Sequence, residues 1–362
     1  MIKILHVVSS LDGGGVESML YNYYLYLDKS VAQFDFVVHG KNTGILEKRV
    51  EDLGAKVFHV TPKKESFIKN KQEIEQIIRN GKYDIVHCHQ NFSNFVPLNI
   101  AKKYRVPVRI SHAHGCKEVE SVNERIKNSL FRLLNQSSAN YFFACSVAAG
   151  KWLHGRLWSP NEKNIIMKNA IDTNKFTYNH EVRERYRKKL SVENKKVLLH
   201  VGRFSAEKNH LFLIEIMEIV TKQDDSYVLL LVGNGAIEKT VRNIVQMKGL
   251  NNKVIFLGVR NDVAELMNAA DIFLLPSKNE GFGITLIEAQ STGLITFASD
   301  KITKETAITD LIEYLPIEDS NAWAEKILQT KLKNRQTKKT IVEKEGYSIQ
   351  LESKKYIEWI RK

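Results

Sequence analysis

Two carboxylates, Glu280 and Glu288, stand with seven residues between them around a glycine-bearing segment, Glu280-Gly281-Phe282-Gly283-Ile284. The apolar run Ile272-Phe273-Leu274-Leu275 before it predicts a buried strand, and the residues from Ile284 onward predict a helix. Gly281 and Gly283 free the backbone at the helix start, where unpaired amides favour an anion. Glu288 then falls about one turn into the helix. One acid could accept hydrogen bonds from sugar hydroxyls and the other from a ribose diol, while the amides between them face phosphate. Either acid alone could equally be a solvated loop residue or a partner of the helix dipole. That plainer reading explains the pair with its two glycines less well.

A second loop, Gly202-Arg203-Phe204-Ser205-Ala206-Glu207-Lys208-Asn209, places an Arg and a Lys five residues apart. Arg203 could grip a diphosphate with its fork and Lys208 as a point charge, and fixed cations there would ease departure of a charged leaving group. The alternative is two solvated surface cations. A third loop, Asp12-Gly13-Gly14-Gly15-Val16-Glu17, follows the first strand-like run. It would bring backbone close to a ligand or simply make a tight strand-to-helix turn, and it is not a GxGxxG dinucleotide fingerprint. Two histidine pairs, His87/His89 and His112/His114, close two further strand-like runs. Alternation puts each pair on one side of its strand. No acidic or thiolate partner stands at ligand spacing, so no metal is expected and a core or cleft-lining role is preferred. A histidine at a cleft mouth could orient a hydroxyl or stabilise a sugar.

Positioning these loops requires strands alternating with helices. Short apolar runs recur at Ile2–Val8, Phe34–Val38, Val57–Val60, Asp84–Cys88, Val108–Ser111 and Tyr141–Cys145, and again at Val197–Val201, Tyr227–Val232, Val254–Leu257, Ile272–Leu275 and Leu294–Ala298. Amphipathic stretches such as Glu17–Leu27, Ser66–Ile78 and Leu211–Val220 lie between them. The pattern predicts two consecutive doubly wound α/β domains with parallel sheets, over residues 1–180 and 190–335. The polar stretch Asp172–Lys196 reads as the connection. A last helix over about 343–362, carrying Tyr347, Tyr356 and Trp359, is expected to pack back on the first domain.

The chain has 362 residues, 43% hydrophobic and 26% charged, the balance of soluble globular proteins. No membrane-span-length apolar run or signal-peptide pattern is present, so a cytoplasmic protein is expected. Cys88, Cys116 and Cys145 form no CxxC pair and read as buried small hydrophobes. The net charge of +13 would suit nucleic acid, an anionic membrane or a diphosphate. Part of it clusters at Arg183, Arg185, Arg187, Lys188 and Lys189 and at Lys331, Lys333, Arg335, Lys338 and Lys339. With no nucleic-acid-binding signature, nucleic acid is not the expected partner.

Taken in order, these motifs resemble the retaining glycosyltransferases of the GT-B fold, family 4 type (glycosyl transferases group 1). The likeness rests on the Glu280-to-Glu288 signature, the Gly13-Gly14-Gly15-Val16-Glu17 start, Lys168-Asn169-Ala170-Ile171-Asp172 with Phe176, Gly202-Arg203 with Lys208-Asn209, and Gly233-Asn234-Gly235. It implies two Rossmann-like domains facing a cleft, the first for the acceptor and the second for a nucleotide-sugar donor. Arg203 and Lys208 would bind the donor diphosphate, Glu280 the donor sugar and Glu288 the ribose. Main chain at Gly281, Phe282, Gly283 and Ile284 would line sugar and phosphates, Gly14 and Gly15 would approach from the first domain, and Val259 and Arg260 would lie beside the base. Of the histidines on the acceptor side, His114 before Gly115 fits the family's His-Gly form best, and His112 fits if the register slips by two. Gln290 stands where a Met is common and Ile295 near a usual proline.

The stretch Arg109 to His114 looks most like enzymes building bacterial capsule or exopolysaccharide. The resemblance implies transfer of a hexose or N-acetylhexosamine from a UDP-sugar to a lipid-linked or glycan acceptor, with no metal or other cofactor, at the inner face of the membrane. An anionic membrane surface is then an expected partner. Two alternatives are a UDP-sugar 2-epimerase of similar fold, which would turn over its substrate without an acceptor, and a basic nucleic-acid-binding protein, which would lack nucleotide-sugar affinity.

Overall fold

The computed structural model describes residues 1–12, 14–115, 121–332 and 334–362, so Gly13, Cys116 and Lys333 lie outside the described residues. The chain divides into two units, Met1–Ala170 with Ser348–Lys362, and Ile171–Tyr347. The first is built on β1 (Ile2–Val7), β2 (Ala32–His39), β3 (Val57–Val60), β4 (Ile85–Cys88), β5 (Val108–Ala113), β6 (Tyr141–Ala144) and β7 (Asn164–Ile166). These form one parallel sheet in the order β3-β2-β1-β4-β5-β6-β7. The second unit holds β8 (Lys196–Val201), β9 (Tyr227–Val232), β10 (Val254–Gly258), β11 (Ile272–Leu275), β12 (Ile295–Ser299) and β13 (Ile312–Leu315), in the order β10-β9-β8-β11-β12-β13. All of its pairings are parallel too. Both sheets start near the middle, wind one way, then cross back and wind the other.

Apolar side chains cover both faces of each sheet, as parallel pairing requires. In the first unit Ile4, Phe34 and Phe36 pack on one face, while Leu5, Val7, Val37 and Val86 pack on the other. In the second, Val197, Leu199 and Phe273 alternate with Leu198, Ile272 and Leu274 in the same way. The strands β7 and β13 are too short, or too mixed in polarity, to stand out in the sequence.

The polar stretch Asp172–Lys196 is part of the second unit. Its helix His180–Lys189 packs on the helix Val263–Ala269. Arg183 donates to the carbonyls of Asn268, Ala269 and Ala270 and pairs with Asp271. The buried Arg187 donates to Ala269 and Lys195 carbonyls. Arg335, from the other basic cluster, donates to carbonyls of Met267, Ala270 and Thr292. Carbonyls at helix C-termini lack intrahelical partners, and these guanidinium groups satisfy them. Charge that looks like solvated surface in the sequence is therefore partly internal structure.

The single final helix expected from Glu343 is instead two, Lys339–Lys344 and Ile349–Ile360, separated at Gly346 with φ 77°. The break lets one segment serve two cores. Tyr347 stacks on Phe282 in the second unit at 5.8 Å. Tyr356 meets Phe34 and Tyr23 edge-on in the first, and Trp359 meets Phe143 at 4.9 Å.

The Tyr356 hydroxyl is buried without a hydrogen-bond partner among the described residues. Tyr356→Ala should cost about 3–5 kcal/mol of stability, the range for truncating a buried aromatic ring. Tyr356→Phe should be neutral or stabilising, because it removes only an unpaired polar group. Denaturant melts of the two variants check both directions.

Candidate active site

In an open parallel sheet the loops at the carboxyl ends of the strands diverge where the strand order reverses, and the crevice there takes ligands. In the second unit that point lies between β8 and β11. The loop 202–209 leaves β8 and the loop 276–283 leaves β11, and they are tied together by the Lys278 amide donating to the Glu207 carbonyl at 2.7 Å. The Lys208 ammonium pairs with Glu280 Oε1. Ser277, fully buried, donates its hydroxyl to the same oxygen at 2.6 Å. Two of the residues singled out by spacing thus meet, held by a third that the sequence reading passed over. Ser277 sits three residues before Glu280, a spacing that could have flagged it.

The glycines of this loop system serve close approach. A Cβ at Gly233 would come within 2.1 Å of the Gly202 carbonyl oxygen, so the turn Gly233-Asn234-Gly235 lies flat against the loop after β8. Phe204 donates its amide to the Asn234 carbonyl at 2.8 Å and stacks on His210 at 4.0 Å. The neighbouring Arg203 is exposed.

The helix Ile284–Ser291 begins at Gly283, whose φ of 79° is left-handed, and no side chain caps its first amides. Gly281 is exposed and Phe282 buried ahead of it. Glu288 is partly buried, and burial pushes its carboxyl up to about 8, with the Lys175 charge opposing. Gln290 donates to the Leu286 and Thr306 carbonyls and accepts from the Thr309 amide, anchoring the helix from below. Past β10, Val259 is exposed, while Arg260 is paired with Asp262, which also accepts from the Tyr186 hydroxyl.

In the first unit the reversal lies between β1 and β4. Gly14 precedes the helix Gly15–Tyr26, and a Cβ there would meet a Glu17 carboxylate oxygen at 2.4 Å. A Cβ at Gly15 would meet nothing within 4 Å, so this unit's own packing does not demand a glycine there. Beside this point five histidines gather: His87, His89, His112 and His114, with His6 from β1. The sequence reading missed His6, which pairs in register with His87.

His6 Nδ1 lies 3.0 Å from His89 Nε2, and His89 Nδ1 lies 2.7 Å from His114 Nε2. His87 Nε2 lies 3.0 Å from His112 Nδ1. Burial above all holds every one of these rings well below the ordinary histidine range, His6 and His114 at about 3, so they are neutral at pH 7. A neutral ring has one donor and one acceptor nitrogen, so each hydrogen-bonded set leaves its two end nitrogens over. His114 Nδ1 is one of them. Two triplets, His6/His87/His89 and His89/His112/His114, bring ligand nitrogens within 4.8 Å of one another. In both, however, two of those rings are already bonded to each other. Cys88 and Cys145 are buried thiols.

Glu288 holds a proton in the folded chain far above the ordinary glutamate value of 4.5. Below that value the folded and unfolded chains are both protonated there; between it and about 8 the unfolded chain ionises first, so stability falls as pH rises. Glu288→Gln should therefore raise the melting temperature at pH 8, with the gain shrinking toward pH 4.5. Melting curves across that range check it.

Comparison with known proteins bears on what this arrangement serves. Residues 13–175 match the model of Glycosyltransferase Family 4 and residues 182–345 that of Glycosyl transferases group 1. A candidate glycosyltransferase of Bacillus subtilis (strain 168), EpsF, is 30% identical over 94% of this chain and 91% of its own. The capsular polysaccharide biosynthesis glycosyltransferase CapH of Staphylococcus aureus is 25% identical over 83% and 82%. An Escherichia coli enzyme, UDP-Gal:alpha-D-GlcNAc-diphosphoundecaprenol alpha-1,3-galactosyltransferase, is 27% identical over 83% and 79%. The crystal structure of Anabaena HepE with UDP and glucose superposes with a TM-score of 0.77 at 20% identity over the whole of both chains. A glycosyltransferase from Rickettsia africae ESF-5 gives 0.75 at 22% identity over 99% and 97%. The two parallel-sheet units are those of the GT-B fold, and neither the epimerase nor the nucleic-acid reading is favoured by these likenesses. The chain belongs to the family 4, group 1 glycosyltransferases.

Proposed function

We propose that the chain transfers a hexose or N-acetylhexosamine from a UDP-sugar to a hydroxyl of a lipid-linked or glycan acceptor in bacterial surface polysaccharide synthesis, with retention at the anomeric carbon. The observation that carries the reading is the meeting of Lys208, Glu280 and Ser277 beside the uncapped helix start at Gly283, with Glu288 one turn further on. The named activity of the E. coli relative and the UDP held by HepE support the same donor class.

A diphosphate arriving at this helix start would compete with Glu280 for the Lys208 ammonium. Lys208 and Arg203 would then hold the phosphates, and Glu280, still held by Ser277, would be released to the sugar hydroxyls. Main chain at Gly281, Phe282, Gly283 and Ile284 would complete the cradle. Glu288 would take the ribose diol, and Val259 and Arg260 would flank the base. In the first unit Gly14 and Gly15 would offer backbone to the ligand, and His114, which fits the family's His-Gly form better than His112, would meet sugar or acceptor. The bond from anomeric carbon to phosphate oxygen breaks and the acceptor oxygen bonds to the same face. The acceptor proton passes to the departing phosphate, so no protein base is required. The cations and helix amides do the charge neutralisation, with no metal at the transfer centre and no other cofactor. Nucleic acid is not a partner in this reading, since Arg183, Arg187 and Arg335 are engaged with carbonyls of the chain itself. A lipid-linked acceptor puts the protein at the inner face of a membrane.

A thermal-shift comparison of UDP, GDP, ADP and CMP tests the donor, because a ligand that binds only the folded chain raises its melting temperature. UDP alone should give a clear rise, and no rise with UDP would overturn the donor assignment. Arg203→Ala should lower turnover about 100-fold or more, the scale of losing one charge-stabilising donor, while leaving the melting temperature unchanged. Turnover should persist in EDTA, and NMR of the product should show the donor's anomeric configuration; loss of activity in EDTA would remove the metal-free step.

A further inference from the structure

A neutral imidazole has one N–H and one lone pair, so the five clustered histidines hold five of each. The hydrogen bonds His6–His89, His89–His114 and His87–His112 use three of each. Two N–H groups and two lone pairs are left over. They sit on His6 Nε2, His87 Nδ1, His112 Nε2 and His114 Nδ1, buried nitrogens with no hydrogen-bond partner among the described residues. Each such orphan costs about 1–3 kcal/mol. The cluster therefore carries more ligand atoms than its own hydrogen bonds consume.

His89, His112 and His114 bring one nitrogen each within 4.8 Å of one another. His112 and His114 stand two residues apart at the end of β5 with their rings stacked at 3.9 Å, and His89 follows the neighbouring strand β4. His89 and His114 are 6% and 8% exposed, so this triplet reaches the surface, whereas His6 and His87 of the other triplet are wholly buried. Two of the three hydrogen bonds can survive the arrival of an ion. His89 can donate from Nε2 to His6 Nδ1, and His112 from Nδ1 to His87 Nε2, both at 3.0 Å. Those tautomers turn lone pairs inward at His89 Nδ1 and His112 Nε2 and give each ring an acceptor behind it, the usual support of a metal-bound histidine. Only the His89–His114 bond is given up. His89 Nδ1 and His114 Nε2 lie 2.7 Å apart. They would open to about 3.3 Å to share one ion at about 2.0–2.1 Å in tetrahedral geometry.

We propose that His89 Nδ1, His112 Nε2 and His114 Nε2 form a binding site for a late first-row cation such as zinc, with His6 and His87 as the acceptors that hold the ligand rings. Three histidines suffice for zinc without an acid or a thiolate, and water takes the fourth position. An all-imidazole set suits zinc, copper or nickel, not magnesium or calcium, which take oxygen ligands. The ion plays no part in sugar transfer. It withdraws His114 from sugar or acceptor and so inhibits. The site is argued from the first unit's own geometry, and only the inhibition rests on the function proposed above.

Cobalt(II) and zinc, added to the full chain after EDTA treatment and dialysis, test the site. The wild type should develop the visible absorption of tetrahedral cobalt at one equivalent and lose it to zinc, but not to magnesium. Calorimetric zinc affinity should fall at least about tenfold in His112→Asn and in His114→Gln, and about tenfold in His6→Phe, which removes only a ligand's support. His114→Gln, at the rim, keeps the test valid if the interior variants unfold; a cooperative melt and a retained rise with UDP identify the folded ones. Zinc should slow wild-type turnover, and EDTA should restore it. No cobalt absorption in the wild type, or zinc affinity undiminished in folded ligand variants, overturns the site. Bound zinc with unchanged turnover overturns the inhibition. Zinc binding without any rise with UDP leaves the site standing and defeats the donor assignment instead.

Discussion

Parallel strands can be joined only by crossovers, and a sheet that starts in its middle must at some point reverse the direction in which it winds. In this protein the reversal falls between β1 and β4 in the first unit and between β8 and β11 in the second. At such a point adjacent loops leave in opposite directions and expose backbone amides at helix starts. The Lys208–Glu280 pair and the histidine cluster each grow from one of these two places. The pairing of β8 with β11 brings residue 208 within reach of residue 280, and that of β1 with β4 brings His6 to His87.

Electrostatics then separates the two places. The second unit keeps charges: Lys208 against Glu280, Arg203 exposed, and bare amides at Gly283. Such a site suits a multiply charged ligand, which can displace one internal ion pair and recover its attraction. The first unit keeps neutral polar rings. Five buried histidines hydrogen-bond among themselves, and burial holds each neutral. They form a neutral polar cluster inside the first unit. Glu288 is costly in the same terms, since burial keeps its carboxyl protonated up to about 8 and its ionisation above the ordinary value works against the folded chain.

The cationic excess divides as well. Arg183, Arg187 and Arg335 look from composition like surface charge, yet they close the carbonyl ends of helices in the second unit. The helix Val122–Ser138 is the opposite case. Val122, Ile126, Leu130 and Leu133 repeat at helical spacing along it, and the fold leaves all four exposed.

By itself the sequence determined the α/β alternation, because buried parallel strands must be short continuous apolar runs and their helices amphipathic. It also determined the family, and it marked Glu280, Glu288, Arg203 and Lys208 as candidates, because anion-binding loops need glycine and fixed charge at strand ends. Three kinds of feature were decided only by the tertiary structure. Gly346 splits the last helix so that Tyr347 and Tyr356 enter different cores. Ser277 and His6 join sites whose other members are distant in the chain or unremarkable in type. And the facing of a helix stripe, toward core or solvent, depends on what the neighbouring elements leave uncovered. Local patterns record what a segment can bury or bind; which groups meet is set by strand order, and strand order is a property of the whole sheet.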